Sequence, residues 1–164
     1  MISYDEALEI VEEFNIKSGL RDFCTNRCKG ACCWDCKDRC DRYEERRLPC
    51  STFFCSTIML MILPDVDDRR KYKKIHRATV SHMRRCTGAS SVYYRHPSKE
   101  EFSRIKHTEM PDLIKGIKSF DTKRIRDILD KITPEQIKFI QNREHIIAKE
   151  TLDKRTRARL RKAN

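Results

Sequence analysis

Eight of the nine cysteines in this 164-residue chain lie between Cys24 and Cys55. They run Cys24, Cys28, Cys32, Cys33, Cys36 and Cys40, then Cys50 and Cys55 after Pro49. A buried cysteine without a chemical role behaves as a small hydrophobe, but eight in 32 residues is denser than core packing requires. Disulfides in an oxidising compartment or a hyperthermophile are the alternative. The odd total argues against a fully paired framework. The favoured reading is that the thiolates hold metal in a reducing cytosol.

The spacing constrains the backbone. Cys24, Cys28, Cys32, Cys36 and Cys40 are each four apart, and an unbroken helix would line them along a stripe about 24 Å long. Zn–S contacts are about 2.3 Å, so one metal does not bridge that stripe. The segment therefore holds several sites or is a broken helix, and Gly30 suits a break between Cys28 and Cys32. Residues 35–47 are rich in helix formers and offer Cys36 and Cys40 as an i, i+4 ligand pair. Cys50 and Cys55 are expected on a turn. Two groups of four would use all eight cysteines, without fixing which belongs to which.

Zinc and iron–sulfur clusters both accept four thiolates. Zinc sites commonly carry two Cys-x2-Cys pairs, and this chain has one, Cys33-x2-Cys36. The adjacent Cys32-Cys33 suits a larger core, so one or two clusters of the 4Fe–4S type are favoured over Zn2+. The run Cys28-Lys29-Gly30-Ala31-Cys32-Cys33 resembles the zinc- or iron-chelating cysteine-cluster proteins, whose closely spaced cysteines end in an adjacent pair. The resemblance covers about twenty residues and departs in having three residues, not two, between Cys28 and the pair. It implies metal binding and no particular activity.

His82 and Cys86 are four apart on an expected helix and are candidate additional ligands. The competing and favoured reading is a core cysteine beside a helix-face histidine. His76, His96, His107 and His145 show no ligand spacing. There is no His-Glu-x-x-His, Gly-x-Ser-x-Gly or phosphate-binding loop, and four glycines in all disfavour loop-built nucleotide sites. No catalytic residue is assigned.

The expected fold is mostly α: a small helical domain over 1–120 containing the cysteine cluster, then a helical hairpin over 121–164 ending in a basic tail. Ser3-x-x-Glu6 forms a capping box before a helix over Tyr4 to Lys17, with Leu8, Val11 and Phe14 at helical spacing and Gly19 as its stop. Asp65 to Cys86 reads as a second helix with Tyr72, Ile75, Thr79, His82 and Cys86 on one face. Val92-Tyr93-Tyr94 reads as a short strand or an extended link. Ser98 with Glu101, Pro111, Asp121 and Thr133-Pro134-Glu135-Gln136 mark further starts, the last helix running to about Lys162.

Lys and Arg number 36 against 25 Asp and Glu, a formal charge of +11. Such a surplus attracts polyanions. The basic residues concentrate in two places. Arg69, Arg70, Lys73, Lys74, Arg77, Arg84 and Arg85 lie along the second helix, and Lys154, Arg155, Arg157, Arg159, Arg161 and Lys162 at the C-terminus. Both sets are candidate nucleic-acid contacts, and Tyr93-Tyr94-Arg95-His96 could stack on unpaired bases. The bland alternative is a solvated helix face and a disordered tail.

The longest apolar run, Ile58 to Leu63, is too short to span a bilayer, and the acidic start MISYDEALEIVEEF does not read as a signal peptide. The expected location is cytoplasmic. The expected function is a metal-stabilised protein that binds nucleic acid or acts in its regulation. The alternatives are an iron–sulfur redox protein docking on an acidic partner, and metal storage or sensing.

Overall fold

Ser3 starts the first helix as its sequence predicts: its Oγ accepts the Glu6 N–H at 3.1 Å, and α1 runs Tyr4–Lys17. In the computed structural model residues 2–29, 48–88, 98–104 and 110–163 are described, and every regular element among them is helical. The strand or link expected at Val92 to Tyr94 and the helix expected over 35–47 lie outside the described residues. Ala7, Ile10, Val11 and Phe14 form the buried face of α1, with Leu8 at its edge. Gly19, at φ 77°, takes the left-handed conformation that ends the helix.

A short α2, Leu20–Asp22, passes directly into a π-helical turn over Phe23–Arg27, closed by the Cys28 N–H on the Phe23 carbonyl at 2.8 Å. Lys29 then turns left-handed at φ 57°. The helical path thus ends ahead of Gly30, the glycine expected to break it.

The chain resumes with α3, Leu48–Ser51, and α4, Ser56–Ile62. The turn expected at Cys50 is in fact helical, because Pro49 occupies the first turn, where its missing N–H costs nothing. Cys55 stands outside regular helix, as the extended residue capping α4.

Asp65 Oδ1 accepts the N–H groups of Asp67 and Asp68 at 2.8 and 3.2 Å to start α5, Val66–Thr87, and Gly88 at φ 63° ends it. Tyr72, Ile75, Thr79 and His82 share its buried face with Met83, and Cys86 sits at the edge of that face.

The expected capping boxes at Ser98/Glu101 and Thr133/Gln136 are both reciprocal, opening α6, Lys99–Arg104, and α9, Pro134–Ala163. Between them lie α7, Met110–Lys115, a 3-10 turn over Gly116–Ser119, and α8, Thr122–Asp130, capped by Asp121.

One apolar cluster spans both sides of residue 120. Rings of Phe14, Phe54 and Phe120 surround Tyr72 at centroid distances of 6.1, 5.3 and 5.7 Å. Ile125, Leu129, Ile132 and Ile140 join the same cluster.

Two arginines tie the helices end to end. Arg126 of α8 donates to the carbonyls of Ile16 and Lys17 at 2.7 to 3.0 Å, closing α1. Arg27 donates to Leu129 and Ile132 carbonyls at 2.7 and 2.6 Å, closing α8. Arg27→Ala is expected to cost about 2 kcal/mol in urea unfolding, because two carbonyls lose charged donors at once. Arg27→Lys should recover less than half of that, since an ammonium lacks the planar fork that reaches both. Full recovery by lysine would refute the bidentate role.

Candidate metal centre and basic groove

The described cysteines flank residues 30–47 on both sides. Cys24 and Cys28 come from the π-helical turn, one turn apart and so on a common face; Cys50 and Cys55 come from α3 and the start of α4. Cys28 and Cys55 are buried within the apolar cluster, and Cys24 packs against it. Cys55 Sγ accepts the Ile58 N–H at 3.4 Å as the cap of α4.

Both ends of the segment are fixed to the helical body. Gln141 of α9 donates to the Cys28 carbonyl at 3.2 Å, the Leu48 N–H donates to the Tyr4 hydroxyl at 3.2 Å, and Asn15 donates to the Ser51 carbonyl at 3.0 Å. Cys32, Cys33, Cys36 and Cys40 lie outside the described residues. Among the described residues no group of three or more His, Cys, Asp or Glu side chains is placed to hold a metal ion. The thiols at the two flanks fit a soft metal by type. A four-thiolate site at either flank needs cysteines from 30–47.

His82 and Cys86 converge on another target. His82 Nε2 lies 3.2 Å from the Phe102 carbonyl, and since a carbonyl only accepts, this nitrogen carries the proton. The Cys86 thiol points to the same oxygen at 3.8 Å, and the His82 and Phe102 rings meet edge to face at 4.6 Å. Burial, then the Glu101 carboxylate, push the Cys86 thiol above its ordinary range. These contacts dock α6 on α5 and match the packing reading of the pair.

The outward face of α5 is basic. Arg70, Lys73, Lys74, Arg77 and Arg84 are exposed along a stripe about 21 Å long, opposite the Tyr72–His82 face. Arg70 pairs with Asp67 at 3.4 Å on the open surface, while Lys73, Lys74, Arg77 and Arg84 have no carboxylate partner among the described residues. Arg69 is differently engaged: its guanidinium donates to the Leu63 and Pro64 carbonyls at 2.8 and 2.6 Å, at the end of α4.

A groove of about 550 Å³ runs beside the stripe, lined by His76, Arg77, Val80, Ser81, Arg84 and Arg85. Arg85 reaches the Ser81 hydroxyl at 3.5 Å. At one end His76 Nδ1 lies 2.9 Å from the Thr52 hydroxyl, and the Phe53 ring sits 5.6 Å from the imidazole. In the C-terminal set, Lys154, Arg157 and Arg161 are exposed and share one face of α9, whose backbone also carries Arg155, Arg159 and Lys162. The sequence reading missed Phe53 because nothing in Thr52-Phe53-Phe54 says which ring faces outward.

Burial, then the Arg77 charge, lower the His76 pKa from 6.5 to about 4, so the ring is neutral at pH 7. Its unfolded form takes up a proton near 6.5 and its folded form does not until about 4. The stabilisation is therefore full above pH 6.5 and is lost as pH falls toward 4, by on the order of 3 kcal/mol. Urea titrations at about pH 7 and about pH 5 should show a smaller acid loss in His76→Gln than in the parent chain. Equal losses would show that His76 is not the group responsible.

Comparison with protein-family models, with curated proteins and with solved structures finds no match to this chain. The functional reading rests on its own residues.

Proposed function

We propose that this chain is a metal-stabilised basic protein that binds nucleic acid, with the cysteine segment holding iron–sulfur or zinc and two helical surfaces supplying affinity. The observation that carries the reading is the separation of charge on α5. Its inward face is apolar and aromatic, and its outward face presents Lys73, Lys74, Arg77 and Arg84 without acidic partners among the described residues. Helical presentation matters because fixed cations lose less freedom on meeting a phosphate chain than those of a coil. The second basic set is likewise carried on a helix, α9, with Lys154, Arg157 and Arg161 exposed.

The metal's role in this reading is architectural. Both flanks of the segment are held by side-chain contacts from α1 and α9, so ligation across 24–55 would join ends that are already placed. A charged chain with 38% hydrophobic residues gains from such a staple. Among the described residues no helix is long and apolar enough to cross a membrane.

Two measurements test the two halves. Anaerobically purified protein should contain iron with acid-labile sulfide, or zinc, and Cys28→Ser with Cys55→Ser should lose most of it while Cys86→Ser keeps it. Metal-free preparations with every thiol reactive would refute the metal half. Labelled oligonucleotides should bind with strong salt dependence. Replacing Arg77 and Arg84 by Gln should flatten the slope of log affinity against log salt by about 1.4 on single strands. Truncation after Asp153 should weaken binding further. Absence of oligonucleotide binding at low salt would refute the nucleic-acid half, and a reversibly reducible cluster in that same preparation would give the redox reading its place.

A further inference from the structure

One of the residues lining the groove, His76, carries an aromatic ring against it on the outer side. Phe53 is 38% exposed, and its ring leans on His76 with the planes 59° apart. Its neighbours Thr52 and Phe54 are buried, so the backbone that carries it is anchored on both sides. Phe53 is not itself part of the groove wall but adjoins it through His76, which is. An aromatic face set beside cations is the combination that holds unpaired bases: the ring stacks on any base, and the cations track the backbone.

Building on the nucleic-acid reading, we propose that this groove binds single-stranded nucleic acid, with one unpaired base stacked on Phe53 and the adjoining phosphates on Arg77, Arg84 and Arg85. Size and position agree. The groove volume, about 550 Å³, falls within the range of about 300–1,000 Å³ typical of small-ligand sites and has room for one nucleotide. Arg77 and Arg84 are two helical turns apart, about 10 Å along the axis, so both stand on the groove's side of α5. Ser81, between them, steadies the Arg85 guanidinium. His76 stays neutral at pH 7 because burial and Arg77 depress its pKa, so it offers an aromatic edge without adding charge. A duplex hides its base faces and cannot use Phe53. Selectivity for single strands therefore follows from the ring, while overall affinity follows from the arginines.

The test uses the full chain, with fluorescence anisotropy on single-stranded DNA, single-stranded RNA and duplex DNA of one sequence. Phe53→Leu keeps an apolar side chain but removes the ring, and Phe53→Trp keeps a ring. The first should weaken single-strand binding by about 5- to 100-fold and change duplex binding by less than about twofold, and the second should restore single-strand binding. Unchanged single-strand affinity in Phe53→Leu, or equal loss on single strand and duplex, would overturn the proposal. If Arg77→Gln with Arg84→Gln weakens binding while Phe53→Leu does not, the general nucleic-acid reading stands and this site assignment falls. A parent chain that binds vesicles of anionic phospholipid and no oligonucleotide would overturn both.

Discussion

Arg27 and Arg126 close a circuit on which the placement of Cys24 and Cys28 depends. Arg126 reaches back more than a hundred positions to the last carbonyls of α1, and Arg27, on the π-helical turn, reaches forward as far to those of α8. Each guanidinium adds charged donors to carbonyls at a helix's C-terminal end, where the macrodipole is negative. The Arg27 guanidinium also lies 5.1 Å from the centre of the Phe23 ring. Cys24 and Cys28 sit beside this junction, so their backbone is set by contacts with α1 and α8. The same logic holds at the other end of the segment, where Tyr4 and Asn15 hold Leu48 and Ser51.

Local signals were legible wherever the physics is local. Ser3, Asp65, Ser98, Asp121 and Thr133 each cap a helix where their side chains predict it, because a cap needs only three or four consecutive residues. The core face of α5 could be read from spacing alone. Long-range contacts were not legible. Glu144 is buried, with an oxygen 2.7 Å from the Thr57 hydroxyl, yet a glutamate on a basic helix reads as solvent-facing and its partner is 87 positions away. The π-helical turn has no sequence signature of its own. The run from Ile58 to Leu63 hid α4 because unbroken apolar residues show no period.

The candidate site divides along the same line. That cysteines at this density bind metal is a statement about composition and stands as a proposal. Their flanking arrangement is a statement about tertiary contacts, and the structure supplies it for Cys24, Cys28, Cys50 and Cys55. The spacing of His82 and Cys86 allowed a ligand pair, although a packing pair was the favoured reading. The Phe102 carbonyl that receives both is what the sequence could not display. Among the basic residues, charge alone put Arg69 with Arg77 and Arg84, yet Arg69 is turned to the end of α4.

Four residues connect these two regions. Between Cys50 and Cys55 run Ser51, Thr52, Phe53 and Phe54, and each of the last three touches α5 or a residue on it: Thr52 and Phe53 at His76, Phe54 at Tyr72. Tyr72 belongs to the core face of α5 and His76 to the edge of its groove. This short stretch therefore grips the helix on two sides while its ends carry candidate metal ligands. A metal held by Cys50 and Cys55 would restrain the same backbone that presents Phe53 to the groove. On the proposed reading, metal and nucleic acid meet here through four intervening residues rather than across the core. A change in ligation would then be felt first as a change in the angle of one exposed ring.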